Sequence, residues 1–139
     1  MGELSLFLKE NKAKKENAFF AAAKSLKDGG GKPLLWEIRA VTTREDEEFR
    51  DACTRFDDEA GRFRLDVNRY MAKLAAASVV YPNLYNAELQ NSYGANTPEE
   101  LIREMLDEPA EYQAFVRFVQ KFGETDVSLS ERIENAKNS

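Results

Sequence analysis

The chain has 139 residues, 42% of them hydrophobic and 32% charged, which is the balance of a globular domain with one real core and excludes wholesale disorder. With 20 basic against 25 acidic residues the net charge is −5 and there is no basic block, which argues against DNA or RNA as a partner. The longest strongly apolar run, Leu74 to Val80, falls far short of the roughly 20 residues that cross a bilayer. The N-terminus lacks the basic-then-apolar order of a secretion signal, and a single cysteine, Cys53, suits a reducing compartment. The expectation is a cytoplasmic protein with no membrane attachment.

In chain order, "LSLFLKEN" from Leu4 to Asn11 reads as a short helix capped by Ser5, with Leu6, Phe7 and Leu8 as an apolar edge ahead of a lysine-rich stretch. Residues 1–17 are expected to form a mobile N-terminal arm. "KDGGGKP", Lys27 to Pro33, is a turn with a mechanism, because glycines beside Asp28 permit positive φ. Its second flank, Leu34 to Val41, alternates so that Leu34, Trp36, Ile38 and Ala40 share a strand face. The first flank, "FFAAAKSL", carries three alanines that prefer helix, so only pairing with the second flank makes it extended.

Thr42 and Glu45 have capping-box spacing, and the run "EDEE" sits where the helix dipole favours negative charge. Phe49, Ala52, Cys53 and Phe56 continue that helix as one stripe. "DDEAGRF", Asp57 to Phe63, reads as a loop and the one plausible internal break. A further helix from Asp66 places Tyr70, Leu74, Ala77 and Tyr81 on one face until Pro82 stops it. Thr97, Pro98 and Glu100 open the clearest helix, with Leu101, Ile102, Met105 and Leu106 inward. After Pro109, Tyr112, Phe115, Val116, Val119 and Phe122 form a stripe that Gly123 terminates; Ser128 and Glu131 box a last helix, frayed over residues 126–139. The expected fold is a mostly helical α+β single domain, residues 1–139, with an N-terminal β-hairpin followed by about five helices.

Chemical machinery is sparse. The absence of histidine removes the commonest general base, the Ser-His-Asp and Cys-His arrangements and the usual zinc sites. Cys53, on an inward stripe, reads as a small buried hydrophobe. The glycines at 29–31 lack a phosphate-loop pattern, and Asp57 and Asp58 lack a calcium ligand ladder, so the first reads as a turn and the second as solvated charge. No catalytic, metal or cofactor site is expected; a hydrolase using only carboxylates would rest on Asp57 and Asp58. Trp36 is expected to anchor the hairpin against the helices.

The stretch "SVVYPNLYNAELQNSYG", residues 78 to 94, clusters tyrosines and side-chain amides. Physically it reads first as a proline-stopped helix, with Asn86 capping the next turn and Leu84, Leu89 and Tyr93 folding back onto the core before Gly94, and second as a contact site.

The longer segment "KLAAASVVYPNLYNAELQNSYG", Lys73 to Gly94, closely resembles the hallmark segment of the XkdN-like phage tail assembly chaperones. "FLKEN", "GKPLLWEIRAVTTREDEEFRDACT", "EYQAFVRFVQKF" and "ENAKN" resemble the same family in the same order, so the likeness spans nearly the whole chain. The alanine-rich first strand and a short region around Asp57 to Arg64 depart from the pattern and put the hairpin's geometry in question. The resemblance implies a non-enzymatic protein of a phage or prophage tail module. It would bind the tape measure protein, keep it soluble and assist tail tube polymerisation around it, and be absent from the mature virion. The alternative is a structural tail component retained in the particle. The tail tube protein and a frameshifted longer form of the chain are further candidate partners, and self-association stays open. Candidate partner-contacting residues are Leu6, Phe7 and Leu8 on the arm and Leu84, Tyr85 and Tyr93 in the loop.

Overall fold

The computed structural model describes the backbone of residues 2–138 and the side chains of residues 2–123. Two 3-10 turns, Glu3–Phe7 and Lys9–Asn11, precede β1 (Ala18–Phe20), β2 (Trp36–Ile38), α1 (Thr43–Ala52), β3 (Thr54–Asp57), β4 (Arg62–Leu65), α2 (Val67–Ser78), β5 (Val79–Tyr81), α3 (Ala87–Ser92), α4 (Pro98–Met105) and α5 (Pro109–Asn138). The class is α+β and mostly helical, with a hairpin leading five helices, as the sequence implies.

The first hairpin turns on Asp28. Its carboxylate accepts hydrogen bonds from the Gly30 and Lys32 amides at 2.8 and 3.0 Å, and Gly31 takes the positive φ of 85° that a side chain would resist. β1 ends at Phe20, before the alanines. Ala22 and Ala23 instead lie buried in irregular backbone, where small side chains let the chain approach the core closely. On β2, Trp36 and Ile38 point inward, whereas Leu34 stays exposed. The Trp36 ring lies 5.9 Å from Phe115 of α5, and Phe20 stacks on Phe118 at 4.4 Å, which joins sheet to helix as expected of Trp36.

β5 flanks β2 on the side away from β1, giving the order β1-β2-β5, all antiparallel, with Glu37 opposite Tyr81 and a bulge beside Ile38. This corrects the helical reading of Val79 to Tyr81. α2 stops at Ser78 because two β-branched valines find a hydrogen-bonding partner in β2, and Pro82 merely follows the strand. Tyr81 is therefore exposed rather than on a buried helix face.

α1 begins as read, with Thr42 and Glu45 exchanging both capping-box bonds. It ends at Ala52; Cys53 is its buried C-cap, and Phe56 belongs to β3 rather than to a helical stripe. The segment taken for a loop is the turn of a second hairpin. Asp57 accepts from the Glu59 and Ala60 amides, Gly61 takes a φ of 67°, and the Asp66 amide donates to the Cys53 carbonyl to close the base. Asp66 then caps α2, whose Tyr70 hydroxyl donates to Asp46 of α1.

Thr97 caps α4, and Glu100 accepts from the Asn96 amide, one residue earlier than the box predicts. Leu101, Ile102, Met105 and Leu106 are buried against α2 and α5, where each fully buried large apolar side chain contributes roughly 1.5–3 kcal/mol. α5 passes through Gly123, expected to end it. The Ser128 to Glu131 box and the fraying of residues 126–139 lie outside the described side chains. Ser5 does not cap its turn: it sits inside the first 3-10 turn, and its hydroxyl donates to the Gly2 carbonyl.

Candidate partner-binding surface

The loop from β5 to α3 is built by its amides. Asn83 accepts from the Tyr85 amide at 3.0 Å, Asn86 caps α3 by accepting from the Leu89 amide at 2.9 Å, and the Gln90 side chain donates to the Leu84 carbonyl at 2.8 Å. Leu84 is only 2% exposed, so the structure corrects its place among candidate contacts: its side chain is the loop's anchor in the core. Leu89 and Tyr93 pack partly against that core, and Gly94 exits with a φ of 66°. Tyr85, 79% exposed, is left facing solvent.

Beside this loop the outer face of the sheet carries a cross-strand row of Phe19, Glu37 and Tyr81, in which both aromatic rings are exposed. Residues directly opposite on antiparallel strands share a face, so the row follows from the register alone. Glu37 accepts from Asn17 at 2.9 Å. Arg39, next along the chain, donates to both carboxylate oxygens of Glu45 at 2.9 and 2.6 Å. Those bonds hold the Glu45 carboxyl well below its ordinary value, at about 2, against the opposing effect of burial, with further help from Thr42.

The arm places Leu6, Phe7 and Leu8 in solvent, with Phe7 83% exposed, and no residue of its two turns is buried. Its base is fixed to α5, where the Lys15 ammonium donates to the Phe122 carbonyl and lies 4.3 Å above the Phe122 ring. The second hairpin sorts its side chains by alternation. Phe56 and Phe63 meet edge-to-face at 5.2 Å on one side, both exposed, while Arg55, Asp57, Arg62 and Arg64 share the other, with Arg64 bridging to Asp57 at 2.9 Å. Sequence reading missed this aromatic pair; the Thr54–Asp57 and Arg62–Leu65 alternation around Asp57 and Gly61 was the available signal.

A cleft of ≈ 490 Å³ opens between α2, α4 and α5, lined by apolar Met71, Tyr112 and Val116 together with Asn68, Arg103, Gln113 and Arg117. Burial raises the proton affinity of the Tyr112 phenol, and nearby Arg103 acts in the opposite sense. Asp57, once a candidate acid, is held in its charged form chiefly by Arg64 and by backbone amides of its own turn. Among the described residues no group of three potential metal ligands occurs, and no helix is long and apolar enough to cross a membrane.

A family model described as phage XkdN-like tail assembly chaperone protein matches residues 4–137. The uncharacterized protein YqbN of Bacillus subtilis is 27% identical, over 98% of this chain and 93% of its own. The phage-like element PBSX protein XkdN of the same organism is 25% identical, over 98% of this chain and 94% of its own. The crystal structure of YqbN superposes with a TM-score of 0.75 at 22% identity, covering 91% of this chain and 99% of that one, a likeness of fold.

Proposed function

This chain belongs to the phage XkdN-like tail assembly chaperone family, and from that premise we propose that it binds the tape measure protein and keeps it soluble. In this reading it assists tail tube polymerisation around the tape measure and leaves before the virion is complete. It acts in the bacterial cytoplasm, by contact rather than by catalysis. The match of the family model over residues 4–137 carries the reading. The physical task suits a small domain with several separate apolar contact points. A long amphipathic helix exposes an apolar stripe that must be covered, and many weak copies along one chain give avidity while each remains removable.

Leu6, Phe7 and Leu8 on the arm, with Tyr85 and Tyr93 in the loop, are the proposed contacts; Phe19 and Tyr81 extend the loop's patch across the sheet. The tail tube protein, a longer frameshifted form of the chain and a second copy remain proposed partners of the same surfaces.

Co-expression with the tape measure protein from the same tail module tests the reading: a soluble complex is the expected result, and an insoluble tape measure with no complex refutes it. Mass spectrometry of purified particles separates a chaperone, which is missing, from a structural tail component, which is present in stoichiometric amount.

A further inference from the structure

Acidic residues outnumber basic ones by 25 to 20 in this chain, yet no carboxylate lines the cleft between α2, α4 and α5. Arg39, Arg50, Arg64 and Lys73 pair with carboxylates, while Arg103 and Arg117 of the cleft lining form no ion pair among the described residues, Arg103 donating instead to the Glu99 carbonyl at 3.3 Å. Met71 and Tyr112 are only partly buried, so the cleft that these two cations help to line also exposes apolar surface, with Asn68 and Gln113 completing its lining.

We infer that this cleft receives one amphipathic α-helix of a partner protein, its apolar stripe seated on Met71, Tyr112 and Val116 and its flanking Asp or Glu residues meeting Arg103 and Arg117. The walls are themselves helices, whose backbone groups are already paired, so they offer no sheet edge to an extended segment. A helix, which satisfies its own backbone, is the form of partner that enters without leaving polar groups unpaired. The chain's own arm is a poorer occupant. Its 3-10 turns span five and three residues, and Lys9, Lys12 and Lys14 accompany Glu3 and Glu10. The assignment deepens the proposed function by naming where a cargo helix seats, and rests on it only for that helix's identity.

The test uses the full chain and two fluorescent amphipathic helical peptides, identical except that Glu flanks the leucine stripe in one and Lys in the other. Anisotropy should show the Glu peptide binding roughly tenfold more tightly, an advantage that shrinks as salt is added. Reversing one arginine, Arg103→Glu, should weaken it about fivefold, and Arg103→Glu with Arg117→Glu should reverse the preference. Gln113→Trp, at an exposed position of the lining, should block both peptides while circular dichroism stays unchanged. Equal affinity for the two peptides, no binding of either, or binding untouched by all three changes overturns the inference. Loss of binding only when Leu6, Phe7 and Leu8 become serine moves the site to the arm and overturns it too. Peptide binding in the cleft without tape measure solubilisation leaves the cleft standing and removes the proposed function. Solubilisation by the double-arginine variant equal to wild type does the reverse.

Discussion

Glu45 ties the end of β2 to the start of α1, which makes Glu45→Gln the sharpest test of how the sheet is joined to the helices. One carboxylate oxygen accepts from the Thr42 amide and hydroxyl, both at 3.0 Å, and from Arg39 at 2.9 Å; the other accepts from Arg39 at 2.6 Å. The lowering of its pKa from 4.5 to about 2 sets a ceiling of ~3.4 kcal/mol, at ~1.36 kcal/mol per tenfold change in proton affinity. With the Glu45 and Arg39 side chains 29% and 34% exposed, solvent screening should reduce this to ~1.5–2 kcal/mol near neutral pH. Because the folded value lies below the unfolded one, the unfolded chain takes up the proton first as pH falls. The stabilisation is therefore full above about pH 4.5, and more than half of it is gone by about pH 3. Urea unfolding followed through the single tryptophan, buried Trp36, gives the wild-type-minus-variant difference at each pH. A difference that stays constant down to about pH 3, or is below ~0.5 kcal/mol throughout, refutes the reasoning.

Three further outcomes follow from the packing. Phe115→Ala should cost ~3–5 kcal/mol in urea unfolding, since the ring is fully buried between Phe20 and Trp36 and leaves a cavity. Thr97→Ala should cost ~1 kcal/mol by removing the oxygen that accepts from the Glu100 amide, and Thr97→Ser should restore most of it. Phe63→Ser should cost ~0.5–1.5 kcal/mol locally, seen as faster amide exchange across Thr54–Asp57 and Arg62–Leu65 with little change in the global Tm, because the Phe56–Phe63 pair lies outside the core.

Local chemistry was legible and pairing at a distance was not. Thr42, Asn86 and Thr97 cap helices through atoms within three residues, so their spacing carried the information. Val79 to Tyr81 continued the stripe of Tyr70 and Leu74 in period, and only β2, some 40 residues earlier in the chain, turns them into a strand. Phe56 likewise stands seven residues beyond Phe49, a spacing that suits a helix as well as it suits chance, while Phe63 opposite it decides for a hairpin. The cleft gathers Met71, Arg103 and Tyr112 from three helices, a juxtaposition of the folded surface that no sequence window contains.

Most of the segment Lys73 to Gly94 serves the fold rather than a contact. Its alanines let α2 pack closely, Ser78 is buried with its hydroxyl donating to Ala75 and its carbonyl accepting from Arg39, Leu84 is sunk in the core, and Asn83, Asn86 and Gln90 hold the loop. Each of these identities answers a demand of the fold. Tyr81 and Tyr85 do not: their rings are 66% and 79% exposed, and neither hydroxyl makes a hydrogen bond among the described residues. A large ring in water gains nothing from the fold around it, so replacing both tyrosines with serine should leave the Tm nearly unchanged. If these two positions serve the cargo, the same pair of changes lowers the yield of soluble tape measure complex. An unchanged yield with an unchanged Tm removes Tyr81 and Tyr85 from the contact surface and leaves Tyr93, the arm and the cleft to hold the partner.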